Sequence, residues 1–367
     1  MAETLLNPQS DVIAEVRGRL GMITLNRAKA LNALSLGMVR DLLATLLAWQ
    51  GDDQVMAVAI RGMGKEGPFG AFCAGGDIRF LHAAGSSGNP ELEDFFTEEY
   101  TLNHLIHHYG KPYIAFMDGI VMGGGMGISQ GGSLRIVTER TKMAMPETAI
   151  GLFPDVGGGY FLSRCPGHAG EWLALTGETI GAGDAVAFGL ADGCIPSDQQ
   201  STLWETLATT DFVNVQALEA VIQARFVEVA GKHAARRQEI DACFAKPSVL
   251  EIEQSLQAGG DWAQTQAAVL RKRSPLMLHV VLEQIRRARD MTLAEDLRME
   301  RDMVRHCFYL RPGQSETLEG IRALAVDKDH QPRWNPARIE DVQEAQWTAF
   351  FNSPWPAFAH PLRYLRH

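Results

Sequence analysis

Cysteine is scarce in this chain and never spaced for pairing: Cys73, Cys165, Cys194, Cys243 and Cys307 are scattered over 367 residues, with no CxxC among them. An odd, dispersed set excludes a disulfide framework and a thiolate metal site, and it suits a reducing compartment. Excess positive charge is missing too. The formal net charge is −10, which argues against nucleic acid as a partner, because phosphate binding needs a basic surface to displace counterions. Long apolar runs are absent as well, so no segment is expected to span a membrane. Met1 to Val16 has neither an apolar signal core nor an Arg-rich amphipathic pattern, which predicts a cytoplasmic protein, or a mitochondrial one if a transit peptide has been removed. No fixed-period repeat or low-complexity tract appears.

What is present is a chain 46% hydrophobic and 21% charged, enough for one sizeable core and a smaller second one. Val12 to Val16 and Met22 to Leu25 flank a glycine-containing turn and read as a hairpin. Val39, Leu42, Leu43, Leu46 and Leu47 follow helical spacing, and Val55 to Ile60 is a strand-like run. Glu91 to His108 reads as a helix, Tyr113 to Met117 as a strand, Gly123 to Gly125 as a helix opening, and Leu134 to Val137 as another strand. Strands alternating with helices predict an α/β core. From about Leu203 the pattern turns to charged, helix-favouring sequence, notably Asp261 to Arg271 and Leu276 to Arg289. The expected division is residues 1–200 for the α/β core and 201–367 for a mainly helical C-terminal region. Gly85 to Pro90 reads as an exposed loop.

Three segments carry chemistry. Phe72-Cys73-Ala74-Gly75-Gly76-Asp77 follows a strand, and its paired glycines let a backbone N–H approach a ligand unobstructed. Gly123-Gly124-Gly125 opens a helix, where unpaired N–H groups favour an anion. Facing one pocket, the two would form an oxyanion hole; the plainer alternative is two ordinary glycine turns. The segment Gly123 to Gly132 does not match GxGxxG and no GxxxxGK motif occurs, so the dinucleotide and P-loop readings both lack their phosphate-cradling register. The third segment, Met145 to Asp155, sets Glu147 and Asp155 among Met, Ile, Leu and Phe. Desolvation there favours the neutral acid and suits general acid/base work; helix capping or turn stabilisation is the alternative role.

Taken together, Asn26-Arg27, Ala30-Leu31-Asn32-Ala33-Leu34, the CAGGD run, the triple glycine and Pro146-Glu147 resemble the enoyl-CoA hydratase/isomerase (crotonase) superfamily from about Val12 to Pro196. Glu98-Glu99-Tyr100, the stretch Pro146 to Gly159, Glu319-Gly320-Ile321-Arg322-Ala323 and Asp327-Lys328-Asp329 resemble its 3-hydroxyisobutyryl-CoA hydrolase branch, extending coverage to about Trp334. The resemblance implies a crotonase-type spiral of strand-strand-helix units with a helical C-terminal region. Related hydratases carry a second catalytic glutamate where this chain has Gly127, and typically glycine where it has Asp155.

Carried over, the resemblance makes the Gly76 and Gly124 N–H groups the oxyanion hole. Glu147 becomes a general base or a nucleophile, Asp155 its orienting or proton-donating partner, and Glu99 the acceptor for a substrate 3-hydroxyl. Arg27, Lys29, Ala30, Ala74, Asp77 and Ile78 would contact CoA, although Ala28 replaces a frequent proline and Ser274 to Leu278 matches the family only in part. The implied substrate is a short 3-hydroxyacyl-CoA, with no resident cofactor or metal. Related enzymes form trimers, so a homo-oligomer stays open. Two rivals remain: an enoyl-CoA hydratase/isomerase, and a non-catalytic acyl-CoA- or RNA-binding relative. His104, His107 and His108 have helical spacing suited to a metal but read better as helix surface. Arg271-Lys272-Arg273 and Arg286-Arg287-Ala288-Arg289 could meet phosphates, and read better as solvated helix faces.

Overall fold

The computed structural model describes residues 10–366; Met1 through Gln9, part of the stretch read for a targeting signal, and His367 lie outside the described residues. The chain opens with strands β1 (Val12–Arg17) and β2 (Leu20–Leu25), helix α1 (Leu36–Gln50), strands β3 (Ala57–Gly64) and β4 (Gly67–Pro68), then helices α2 (Ile78–Ser87) and α3 (Glu91–His107). Next come β5 (Tyr113–Met117), β6 (Ile120–Met122), α4 (Gly124–Gln130), β7 (Leu134–Val137), β8 (Lys142–Ala144), α5 (Gly158–Ser163), α6 (Ala169–Thr176), α7 (Ala182–Ala187) and β9 (Gly193–Cys194). Helices follow: α8 (Gln200–Thr209), α9 (Val215–Gln223), α10 (Arg237–Phe244), α11 (Val249–Gln257), α12 (Asp261–Leu270), α13 (Pro275–Ala288), α14 (Leu293–Phe308) and α15 (Glu316–Ile321). The α/β class and the helical C-terminal region are therefore as expected.

These elements form two compact units. The first takes the described residues up to Gly76 with Leu102–Met143 and Thr179–Ala235; the second takes Asp77–Thr101, Ala144–Glu178 and the chain from Arg236 onward.

In the first unit the strands run in the order β1-β2-β3-β5-β7-β9, antiparallel between β1 and β2 and parallel from there on. Side chains alternate between faces along a strand. One face therefore presents Leu20 and Met22, Ala57 and Ala59, Ile114 and Phe116, and Leu134 and Ile136, buried under Leu203, Trp204, Leu207, Leu218 and Ile222 of α8 and α9. Gly21 points the opposite way, where a Cβ would lie 2.4 Å from the Trp49 ring of α1; glycine makes room for the indole.

The second unit is built from helices, with α13 packed on α5 and α6 and α14 on α5 and α15. Gly85, Ser86 and Ser87, expected in a loop, form the last turn of α2, which ends on left-handed Gly88 (φ 69°). The reason is packing: a Cβ on Gly85 would sit 2.9 Å from the Phe308 ring and 3.0 Å from Leu318, so that glycine serves a helix contact rather than a turn.

Asn32 ties the first unit's irregular segments together. Fully buried and left-handed (φ 57°), a conformation asparagine tolerates, it donates its side-chain amide to the carbonyls of Met63 (3.0 Å), Ala71 (2.9 Å) and Phe72 (3.1 Å) and accepts from the Arg27 N–H (2.9 Å). Asn32→Ala is expected to cost about 2–3 kcal/mol, from carbonyls left unsatisfied in the interior, read as a lower urea midpoint. Asn32→Asp, which aims a carboxylate at those carbonyls, should cost more.

Candidate active site

The two glycine segments of the first unit lie side by side. The Met122 N–H donates to the Cys73 carbonyl at 3.0 Å and the Cys73 N–H to Ile120 at 3.0 Å, so the CAGG run and β6 advance together. A Cβ on Gly125 would lie 2.4 Å from the Cys73 oxygen, and one on left-handed Gly75 (φ 101°) would lie 3.6 Å from the Gly124 nitrogen. Glycine at both positions permits that approach. Gly124 is the first residue of α4, where a helix leaves its N–H without an internal acceptor, and Gly76 sits one residue past Gly75 in the same crossing. The turn carrying Arg27, Lys29 and Ala30 adjoins this run, with the Ala74 N–H on Leu31 at 3.0 Å and the Leu34 N–H on Gly75 at 2.8 Å. Arg27 donates to the Ala33 carbonyl at 2.8 Å, while Lys29 is exposed.

Asp77 and Ile78 begin the second unit, where the Asp77 carboxylate caps α2 by accepting the Phe80 N–H at 3.3 Å. This unit also holds Glu99, Glu147 and Asp155, all buried. Glu99 and Tyr100 project from α3. Glu147 opens a single 3-10 turn, Glu147–Ile150, that closes on left-handed Gly151. Helix α15 seals this turn: Thr317 donates its hydroxyl to the Gly151 carbonyl at 2.6 Å, and a Cβ on Gly320 would lie 2.4 Å from the Ile150 backbone. The Glu319-Gly320-Ile321-Arg322 motif thus acts as packing. Arg322 in turn gathers Glu319 (2.8 Å), Asp327 (2.6 Å) and Asp329 (2.8 Å).

Each carboxyl of the trio sits inside the field of another. Burial first, then the charges of Asp155 and Glu147, hold Glu99 well above the usual carboxyl range. Burial and then Asp155 do the same to Glu147. Asp155 is pushed up to about 6 by burial, against which the Tyr100 hydrogen bond and its own backbone N–H pull down. Asp155 is therefore the first of the three to ionise as pH rises. Tyr100 donates its hydroxyl to Asp155 Oδ2 at 2.9 Å, while Glu99 Oε1 and Glu147 Oε2 have no hydrogen-bond partner among the described residues. Two unpartnered acceptors beside an anion form a site able to bind a polar ligand atom and to exchange a proton with it.

Sequence reasoning did not assign Tyr100 a role, and it missed the groups that hold the Asp155 turn. Val156 is left-handed (φ 58°), as is Gly157 (φ 84°). Glu300 of α14 accepts the Gly157 N–H at 2.8 Å and the Gly159 N–H at 3.0 Å, Asp296 accepts the Tyr160 N–H at 2.8 Å, and Gln284 donates to the Pro154 carbonyl at 2.7 Å. A Cβ on Gly159 would lie 2.4 Å from Asp296 Oδ1, which accounts for glycine there. The next residue of α14, Arg301, pairs with Glu93 and donates to Thr97 of α3 at 3.1 Å.

The basic clusters are engaged within the second unit: Arg271 pairs with Glu253 and Glu340, Arg287 with Glu283 and Arg289 with Glu171, while Arg273 and Arg286 donate to backbone carbonyls. His104 and His108 stack at 4.2 Å. Among the described residues no group of three or more His, Cys, Asp or Glu side chains is arranged to hold a metal ion, and no helix is long and apolar enough to cross a membrane.

The family model described as enoyl-CoA hydratase/isomerase matches residues 20–351. The protein named 3-hydroxyisobutyryl-CoA hydrolase, mitochondrial, is 39% identical in Rattus norvegicus, over 94% of this chain and 89% of that one. Its Danio rerio counterpart is 40% identical over 91% and 87%. Among solved structures, a carnitinyl-CoA dehydratase from Mycobacterium thermoresistibile is 38% identical with a TM-score of 0.86, covering 94% of this chain and 97% of its own. An enoyl-CoA hydratase from Rhodobacter sphaeroides is 37% identical with a TM-score of 0.84, covering 94% and 98%.

Tyr100→Phe removes a hydrogen bond to a charged group, worth about 1.5–3 kcal/mol, and so should raise the Asp155 midpoint from about 6 by about one pH unit or more. Carboxyl-carbon NMR of labelled aspartate follows that titration; an unchanged midpoint would show that the hydroxyl does not stabilise the anion.

Proposed function

Because the chain belongs to the enoyl-CoA hydratase/isomerase family, we propose that it hydrolyses 3-hydroxyisobutyryl-CoA, or a similar short 3-hydroxyacyl-CoA, to the free 3-hydroxyacid and CoA, the step its relatives' name implies in valine breakdown. The observation that carries this reading is the buried Asp155, held by Tyr100 beside Glu147, on a chain whose α4 has Gly127 where hydratases carry their second catalytic glutamate. A carboxyl pair of that kind suits attack by water on a thioester.

The Gly76 and Gly124 N–H groups take the thioester oxygen as it gains negative charge, the stabilisation that usually contributes most to the rate of acyl transfer. Glu147 accepts the proton of the attacking water, or attacks the carbonyl carbon itself to give a mixed anhydride that water then opens. In both routes the C–S bond breaks and a proton derived from water ends on the CoA sulfur. Asp155 orients the partner species or hands it a proton. Glu99 accepts from the 3-hydroxyl, which gives its unpartnered Oε1 an occupant. Arg27, Lys29, Ala30, Ala74, Asp77 and Ile78 are assigned to CoA. The chemistry calls on no resident cofactor or metal, and acyl-CoA is the only partner it requires; a homo-oligomer is compatible with it. A reducing compartment, the cytoplasm or the mitochondrion named for the relatives, suits five free thiols.

The printed names of the two structural relatives favour a second reading, hydration or dehydration of an enoyl-CoA. Release of CoA thiol from 3-hydroxyisobutyryl-CoA, followed alongside hydration of crotonyl-CoA, separates the two. Thiol release should dominate, and Glu147→Gln should lower it by about a thousandfold or more; crotonyl-CoA hydration in its place would overturn the hydrolase assignment. Glu99→Ala should raise KM for 3-hydroxyisobutyryl-CoA about tenfold, a lost hydrogen bond's worth, and leave isobutyryl-CoA, which lacks the hydroxyl, unaffected. Equal losses for both substrates would detach Glu99 from the hydroxyl.

A further inference from the structure

Asp155 is followed by a backbone conformation that its sequence does not favour. Val156 is left-handed, an outlying state for a β-branched residue, and such strain costs of order 1–3 kcal/mol unless neighbours hold it in place. The neighbour that does so stands 143 residues beyond Gly157. Glu300 is fully buried and uses both carboxyl oxygens on this turn, Oε2 for the Gly157 N–H at 2.8 Å and Oε1 for the Gly159 N–H at 3.0 Å. Gln284 completes the bracket by donating from one amide nitrogen to both Glu300 Oε1 (3.1 Å) and the Pro154 carbonyl (2.7 Å). The residues on either side of Asp155 and Val156 are therefore gripped by one hydrogen-bonded unit of α13 and α14.

We infer that Glu300 is a positioning residue for the reaction: by clamping the Gly157 and Gly159 amides it holds the strained Asp155-Val156-Gly157 turn and so fixes where the Asp155 carboxyl points. It touches neither substrate nor the reacting atoms, and acts only through Asp155. Asp296, one helical turn earlier, extends the grip into α5 by taking the Tyr160 N–H at 2.8 Å. This role rests on the proposed hydrolase activity for its kinetic signature but not for its structural one.

The test compares Glu300→Gln, which keeps the length and one acceptor oxygen, with Glu300→Leu, which keeps neither, each with and without Val156→Gly. Misplacing a catalytic group by about an ångström costs on the order of a hundredfold. Glu300→Leu should therefore lower kcat for thiol release by about that factor with KM within about threefold, and Glu300→Gln should fall between it and the wild type. Glycine adopts the left-handed state freely, so adding Val156→Gly should recover about tenfold in the Glu300→Leu background and restore part of the smaller loss in Glu300→Gln. A residue that merely stabilised the fold would show neither the split between kcat and KM nor the rescue. If Glu300→Leu does not fold, the Glu300→Gln pair decides. Wild-type kcat in the folded variants, a rise in KM in place of a fall in kcat, or no rescue would each overturn the proposal. Amide hydrogen exchange at Gly157 and Gly159 needs no substrate. It should quicken at least tenfold in Glu300→Gln, and unchanged exchange overturns the clamp even if the wild type releases no thiol, an outcome that would itself count only against the hydrolase reading.

Discussion

Three carboxyl groups buried within reach of one another's charge cannot all ionise, and the second unit is arranged around that constraint. Glu99 and Glu147 are pushed well above the usual carboxyl range by burial and by their neighbours, while Asp155 has the Tyr100 hydroxyl on it and ionises first. The same economy extends outward. Glu300 is held high by burial and then by Asp296, while buried Arg301 is neutralised by Glu93. Burial around the trio thus disfavours a second charge there, and a low dielectric makes the anion that does form a strong partner for whatever approaches it.

Close backbone approach is the second requirement, and it explains glycines that look alike in sequence but do different work. Gly125 lets α4 lie against Cys73, Gly320 lets α15 lie against Ile150, and Gly159 leaves space for Asp296. In each case a methyl group would meet a neighbouring atom at 2.4 Å, well inside contact distance. Gly320 and Gly159 set the distances at which helices from far along the chain meet the short turns bearing Glu147 and Asp155.

Much of this was legible beforehand. The strand Tyr113–Met117 follows from an uninterrupted apolar run and Leu134–Val137 from its strand-like pattern, and the helices of the C-terminal half from charged, helix-favouring sequence with few strand signals. The carboxylates stood out because Glu147 and Asp155 sit among apolar residues, where a charge is conspicuous. Glu300 did not, because it lies in charged, helix-favouring sequence where one more carboxylate is ordinary; only the tertiary fold shows Glu300 turned inward to a turn and Arg301 to α3. Gly85 misled for the opposite reason, since turn composition was taken for a loop where helix packing required a missing side chain. Local pattern reports what a residue prefers, and these residues are decided by partners far away in the chain.

The span between Gly157 and Glu300 also has a temporal meaning. Translation is vectorial, so the Asp155 turn leaves the ribosome long before α14 exists to hold it, and Glu99 and Glu147 emerge before α14 and α15 are there to cover them. Until then their carboxyls are solvated and ionised like any others. The raised proton affinity of these carboxyls therefore arrives only at the close of synthesis, when the last long helix docks.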